Sequence, residues 1–153
     1  MTNRLFVAKM PFAFLLAVLI LAGGCKKEEK KNEVKFNDIT ATGEQEAPAP
    51  VNSAARATLN ATFDRDAKTL AYTITFSGLN PIAMHFHQGA AGTAGPVVID
   101  LKPATGVITS PAAGTSRALT AAEEADLLNG NWYLNLHSNA HPDGEIRGQL
   151  VAR

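Results

Sequence analysis

Two adjoining stretches of the chain alternate apolar and polar residues with a period of two, a repeat that suits a strand and spoils a helix. In "AARATLNATFD", Ala55, Ala57, Leu59, Ala61 and Phe63 fall on one side, and Arg56, Thr58, Asn60, Thr62 and Asp64 on the other. In "TLAYTITFSG", Leu70, Tyr72, Ile74 and Phe76 oppose Ala71, Thr73 and Thr75. One face of each must be buried and the other wetted, the pattern of half-buried antiparallel strands. The intervening "DRDAK" reads as a turn, so the pair predicts a hairpin. Further strands are expected at Val34–Ala41, Ile82–Gln88, Val97–Leu101, Asn131–Ser138 and Glu145–Val151. The stretch "TAAEEADLLNG" is the single helix signal, with Thr120 and Glu123 as a capping box and Gly130 placed to end it. About seven strands with turn signals between them predict an all-β antiparallel sandwich or small barrel with one short helix.

Ahead of this domain lies a segment of another kind. "MTNRLFVAKMPFAFLLAVLILAGGC" has basic Arg4 and Lys9, an apolar run from Pro11 to Leu21, and small residues before Cys25. That is the layout of a secretory signal peptide over residues 1–24, with an apolar run too short to span a bilayer comfortably. Cys25 is the chain's only cysteine, so it has no internal disulfide partner. "LAGGC" resembles the bacterial lipobox, in which the cysteine is lipidated and becomes the mature N-terminus; here Ala22 stands where leucine is usual, with Leu21 one step earlier. Two or more acyl chains on Cys25 would anchor the protein stably to a membrane surface. "KKEEKKNEVK" is too charged to bury surface, and residues 25–35 read as a tether holding the domain, residues 36–153, off the lipid. Lys27, Glu28 and Glu29 resemble signals that send lipoproteins to the outer face of some outer membranes. The expected location is therefore lipid-anchored and extracytoplasmic, at the outer membrane or cell surface. Removal of Arg4 and Lys9 with the signal leaves twelve basic against fourteen acidic residues, a balance that excludes the electrostatic footprint of a nucleic-acid binder.

All four histidines fall in two short segments, "MHFHQGAAGTAGPVV" and "LHSNAHPDGEIRG". With Ile82, Met84 and Phe86 on the core face, His85 and His87 share the opposite face, with Cβ atoms roughly 7 Å apart. With Trp132, Leu134 and Leu136 facing the core, Tyr133, Asn135 and His137 share the other side. Pro142 and Asp143-Gly144 make a turn that leaves His141 in a hairpin loop. If the two segments are neighbouring strands, three or four imidazoles converge on one outer patch. Neutral imidazole binds zinc or copper, so His85, His87, His137 and His141 form a candidate site for one such ion. The competing reading is structural: the imidazoles hydrogen-bond to loop backbone and tie down the glycine-rich segment Gly89–Gly95.

The stretches "GEQEAPAPVNSAARATLNATFDRDAKTLAYTITFSGL", "MHFHQGAAGTAGPVVIDL" and "LTAAEEADLLNGNWYLNLHSNAHPDGEIRGQL" resemble successive motifs of the CHRD domain. This module is repeated in the animal protein chordin and occurs singly in bacterial secreted proteins. The likeness runs from about Phe36 to Val151, and its most specific parts are the His-x-His-x-Gly stretch and "HPDGEIRGQ"; "APAP" at Ala47–Pro50 departs from the commoner consecutive prolines. The resemblance implies an extracytoplasmic β module that binds a periplasmic or extracellular protein ligand or serves a structural role. It supplies no substrate and implies no enzyme.

More distantly, a sandwich with an outward His-x-His strand is similar to copper/zinc superoxide dismutase, as against an Ig-like arrangement of strands. Arg147 then occupies the place of an anion-guiding arginine, although pairing with Glu145 on its own strand face is the simpler expectation. A bridged two-metal centre of that kind needs more ligands than four histidines supply, and a lone cysteine cannot form that family's disulfide. Serines Ser77, Ser110, Ser116 and Ser138 lack a nucleophile-elbow context. "GAAGTAGP" lacks the lysine and the strand–loop–helix setting of a phosphate cradle. Replacing Cys25 by alanine is expected to release the protein from membranes or to block its maturation; unchanged membrane fractionation would refute the lipobox reading.

Overall fold

Antiparallel pairing of the two alternating stretches organises the first half of the domain. In the computed structural model, which describes Met1, residues 32–103 and residues 105–152, β2 (Arg56–Asp64) pairs in unbroken register with β3 (Thr69–Ser77), from Arg56 opposite Ser77 to Asp64 opposite Thr69. The turn between them is held by Asp64 Oδ1, which accepts from the backbone N–H groups of Asp66 and Ala67, while Lys68 takes a left-handed conformation. Residues 2–31, and with them the signal segment, Cys25 and most of the tether, lie outside the described residues. The first strand, β1 (Glu33–Ala41), begins three residues earlier than the domain boundary drawn from the sequence and takes in Glu33 to Lys35. Its pairing with β2 shifts between Phe36 and Ile39, where Asp38 has positive φ.

The second half supplies β4 (Pro81–Gln88), β5 (Val97–Asp100), β6 (Ala112–Thr115), β7 (Trp132–Ser138) and β8 (Ile146–Leu150), with α1 (Ala121–Leu128) between β6 and β7. The strands form two antiparallel sheets of four, in the orders β1-β2-β3-β6 and β5-β4-β7-β8. The chain therefore crosses between sheets after β3, β5 and β6, the Greek-key connectivity of an all-β sandwich. Along one side the sandwich closes. Thr42, just past β1, exchanges backbone hydrogen bonds with Arg147 of β8, at 2.9 and 3.1 Å. Gly148 permits this approach, since a Cβ there would lie 3.0 Å from the carbonyl oxygen of Thr40. Helix α1 starts with the expected capping box: Thr120 accepts from the Glu123 N–H, and Glu123 accepts from the Thr120 N–H. Gly130, at φ 74°, follows its C-cap. Among the described residues no helix is long and apolar enough to cross a membrane.

Between the sheets lies one apolar core, with Phe36, Leu59, Phe63, Leu70 and Ile74 from the first sheet facing Met84, Phe86, Trp132, Leu134, Leu136 and Leu150 from the second. Tyr72 and Phe86 meet edge to face across it, with ring centroids 5.6 Å apart. Two sequence expectations needed correction. Strand β6 was not foreseen, because "AAGT" carries no large apolar residue; its Gly114 lies under Tyr72, whose hydroxyl would be 2.5 Å from a Cβ there. Ile82, expected in the core, is 42% exposed, because the register of β4 against β7 slips between Pro81 and Ala83 and leaves it outside the regular pairing. Leu134, fully buried at the centre of β7, should be costly to truncate. Leu134→Ala is expected to lower unfolding stability by roughly 2–5 kcal/mol in urea titration.

Candidate metal centre

Strand β4 lies directly against β7, and this pairing brings the two histidine-bearing segments together. His85 is opposite Asn135, His87 opposite Tyr133 and Ala83 opposite His137, so all three histidines stand on the face that points away from the core. His137 sits diagonally from His85, within reach of a long side chain across an antiparallel pair. Its Nε2 is 3.1 Å from His85 Nδ1. Ring centroids are 4.9 Å apart for His85 and His137, 5.4 Å for His85 and His87, and 5.8 Å for His87 and His137.

That face is not the solvated surface expected from the sequence. All seven residues of β7 are buried, and His87 and His137 are only 8% and 7% exposed, while His85 is half-buried. The cover is made of loop backbone, and the sheet supplies donors to its carbonyls. Arg147, 2% exposed, gives Nη1 to Thr93 O and Nη2 to Ala90 O and to Gln149 Oε1. Gln149 Nε2 donates to Gly89 O and Gly130 O, and the Gly95 N–H donates to the Tyr133 hydroxyl. Gly95 must be glycine, because a Cβ would stand 1.6 Å from the carbonyl oxygen of Gln88. Arg147 therefore does not pair with Glu145 as the sequence suggested. Its guanidinium lies 3.6 Å above the Tyr133 ring, and the loop carbonyls occupy its donors, which also removes it as a free anion guide. Glu145 accepts instead from Ser53 at 2.7 Å; burial pushes its carboxyl up, but the hydrogen bonds from Ser138 and Ser53 outweigh this and hold it below its ordinary value.

The imidazoles are fixed in the same way. His87 Nδ1 is 2.9 Å from Gly95 O, and His137 Nδ1 is 2.9 Å from Pro142 O. A carbonyl only accepts, so both Nδ1 atoms carry the proton and both Nε2 atoms carry a lone pair. The His137 lone pair faces His85 Nδ1. His87 Nε2 is buried with no hydrogen-bond partner among the described residues. Burial is the largest influence on all three rings and pulls each pKa below the ordinary imidazole value, and the neighbouring imidazoles push those of His85 and His87 the same way. Neutral rings with one nitrogen locked on a carbonyl are the form that metal-ligating histidines take.

One ligand nitrogen from each of His85, His87 and His137 lies within 4.8 Å of the other two. An ion at roughly 2.0–2.1 Å from each nitrogen would leave no pair more than about 4.1 Å apart, so a small ring rotation gathers the set. These three histidines could hold one metal ion. His141, the fourth histidine of the sequence reading, stays outside this group; it is partly exposed in the loop after β7, where its backbone exchanges hydrogen bonds with Ser138.

A family model described as the CHRD domain matches residues 38–150. The chain belongs to the CHRD family. No curated protein and no solved structure matches it. The matched span contains every residue of the histidine cluster and of the layer around it, so the centre lies within the CHRD domain.

Sequence reasoning missed Glu46 and Gln149. Glu46, on the segment after β1, is 7% exposed and accepts from Asn135 Nδ2 at 3.3 Å through Oε2. Its Oε1 and Asn135 Oδ1 are both buried without partners among the described residues. One proton on Oε1, donated to Oδ1, would satisfy both acceptors and close a cyclic acid–amide pair. Burial raises the Glu46 pKa in keeping with this, against the opposing pull of Asn135 and Arg147. No local pattern marked Glu46, since its role comes from a partner 89 residues away. A carboxyl whose folded pKa is raised stabilises the fold below its unfolded value, near 4.5, and loses that contribution as pH rises through the folded value. Glu46→Gln, which keeps the acid–amide geometry without the titration, is expected to gain stability over the wild type as pH rises above this range. Melting curves from pH 4 to 8 that stay parallel would contradict the assignment.

Proposed function

We propose that this CHRD protein is a lipid-anchored, extracytoplasmic module, without enzymatic activity, that binds one copper or zinc ion through His85 Nδ1, His87 Nε2 and His137 Nε2. The observation that carries the reading is His87 Nε2. Among the described residues it is a buried acceptor without a partner, on a ring whose other nitrogen is already committed to Gly95. Leaving such an atom unpaired costs roughly 1–3 kcal/mol, and an ion shared with the two neighbouring rings removes that cost. The structural role considered from the sequence is compatible with this one. The Nδ1 atoms of His87 and His137 tie down loops; His87 Nε2 is left for a ligand, and His137 Nε2 and His85 Nδ1, 3.1 Å apart, become ligands once the proton between them moves to His85 Nε2 or to solvent. Family membership supports a binding or structural module, the "LAGGC" stretch supports the lipid anchor, and the acidic balance weighs against a nucleic-acid ligand. A periplasmic or extracellular protein is its expected macromolecular partner.

The test uses the full chain purified in detergent and stripped with chelator. Copper or zinc is expected to bind at one ion per chain and to raise the melting temperature, because a ligand at a hundred times its dissociation constant adds about 2.7 kcal/mol. His85→Ala and His87→Ala should each abolish the shift, whereas His141→Ala should retain it. No stoichiometric binding and no shift at millimolar metal would overturn the reading.

A further inference from the structure

We propose that the three-histidine centre is selective for a monovalent ion, Cu(I), over divalent zinc. The inference deepens the metal-binding reading and rests on it. Three observations lead to it. First, the gathered ligand atoms are all neutral imidazole nitrogens, so nothing in the set offsets the charge of the ion. Taking a charge out of water is costly, and the cost rises steeply with its magnitude. Second, three donors make a complete trigonal shell for Cu(I), whereas zinc needs a fourth ligand and would have to take it from water.

Third, the charges around the site are unequal in their screening. Arg147 is 2% exposed, its guanidinium lies 3.6 Å over Tyr133, and the Tyr133 ring stacks on His87 with centroids 4.9 Å apart. Two exposed carboxylates flank the centre: Asp100, opposite His85 on β5, and Asp143, next to Pro142 whose carbonyl holds His137. Both are solvent-exposed, so water and salt weaken their pull. Arg147 is a buried cation beside the ligand rings, and the buried Glu46 carboxyl offsets part of its charge. Any fixed charge acts on a dication with twice the energy that it acts on a monocation at the same distance, so Arg147 disfavours zinc more than it disfavours Cu(I).

The same arithmetic gives the experiment its signs. Affinities of the full chain in detergent are measured by anaerobic competition with bicinchoninate for Cu(I) and with a chromophoric chelator for Zn(II). Cu(I) is expected to bind at least about tenfold tighter, a difference of about 1.4 kcal/mol. Arg147→Gln removes the buried cation and should narrow the Cu(I)-to-zinc ratio severalfold, whereas Asp100→Asn removes an anion and should widen it. If loss of the loop anchors unfolds Arg147→Gln, the exposed position 100 still decides the sign. Zinc binding as tightly as Cu(I), or a ratio that narrows in Asp100→Asn, overturns the selectivity while leaving the metal site standing. Binding of neither ion overturns the selectivity and the site together.

Discussion

The register of β4 against β7 is the constraint on which the rest of this structure depends. Side chains alternate strictly along a strand, so a slip of one residue would turn His85 and His87 into the core and Met84 and Phe86 out of it. Five large apolar side chains, Met84 and Phe86 on β4 and Trp132, Leu134 and Leu136 on β7, hold the pairing where it is. Once it is held, His137 has no freedom to be far from His85. The histidine cluster is thus a by-product of hydrophobic pairing on the opposite face of the same two strands.

A second consequence is that β7 is buried on both faces. Central strands of this kind usually read as continuous apolar runs, yet "WYLNLHS" alternates. The polar half of that alternation faces loop backbone, and backbone carbonyls need donors. Tyr133, His137, Arg147 and Gln149, together with His87 on β4, meet that need. The polar layer is therefore what lets the irregular segment at 89–95 and the loop that carries Pro142 lie over the sheet. The acceptors left over among the described residues, at His87 Nε2, Glu46 Oε1 and Asn135 Oδ1, are where an ion or a proton could be taken up.

Much of this was legible in the residues. Period-two alternation located β2 and β3 to within a residue, and the capping box of Thr120 and Glu123 located the helix. Parity put His85, His87 and His137 on one side of their strands, away from the core. Other features were not legible, each for a physical reason. Strand β6 is a short edge of small residues with no pattern to read. Ile82 escaped the core through a register slip that alternation cannot foresee. Parity also says only which side a residue takes, and "outward" was equated with "wet" because nothing local reveals a covering loop. Arg147 went to carbonyls of residues 90 and 93 rather than to Glu145, two positions away, because the loop brings acceptors to it that a strand neighbour cannot match.

By itself, then, the sequence determined which faces of which strands are apolar, where the helix begins and ends, and that every imidazole falls in two short segments. Those properties follow from the spacing of neighbours along the chain, and such spacing is local. The tertiary structure alone decided that the two segments lie side by side, that loops close over them, and which ring nitrogens remain free. These depend on contacts between residues separated by roughly fifty to a hundred positions, which the pairing of β4 with β7 inside one sheet and the laying of loops over that sheet bring about.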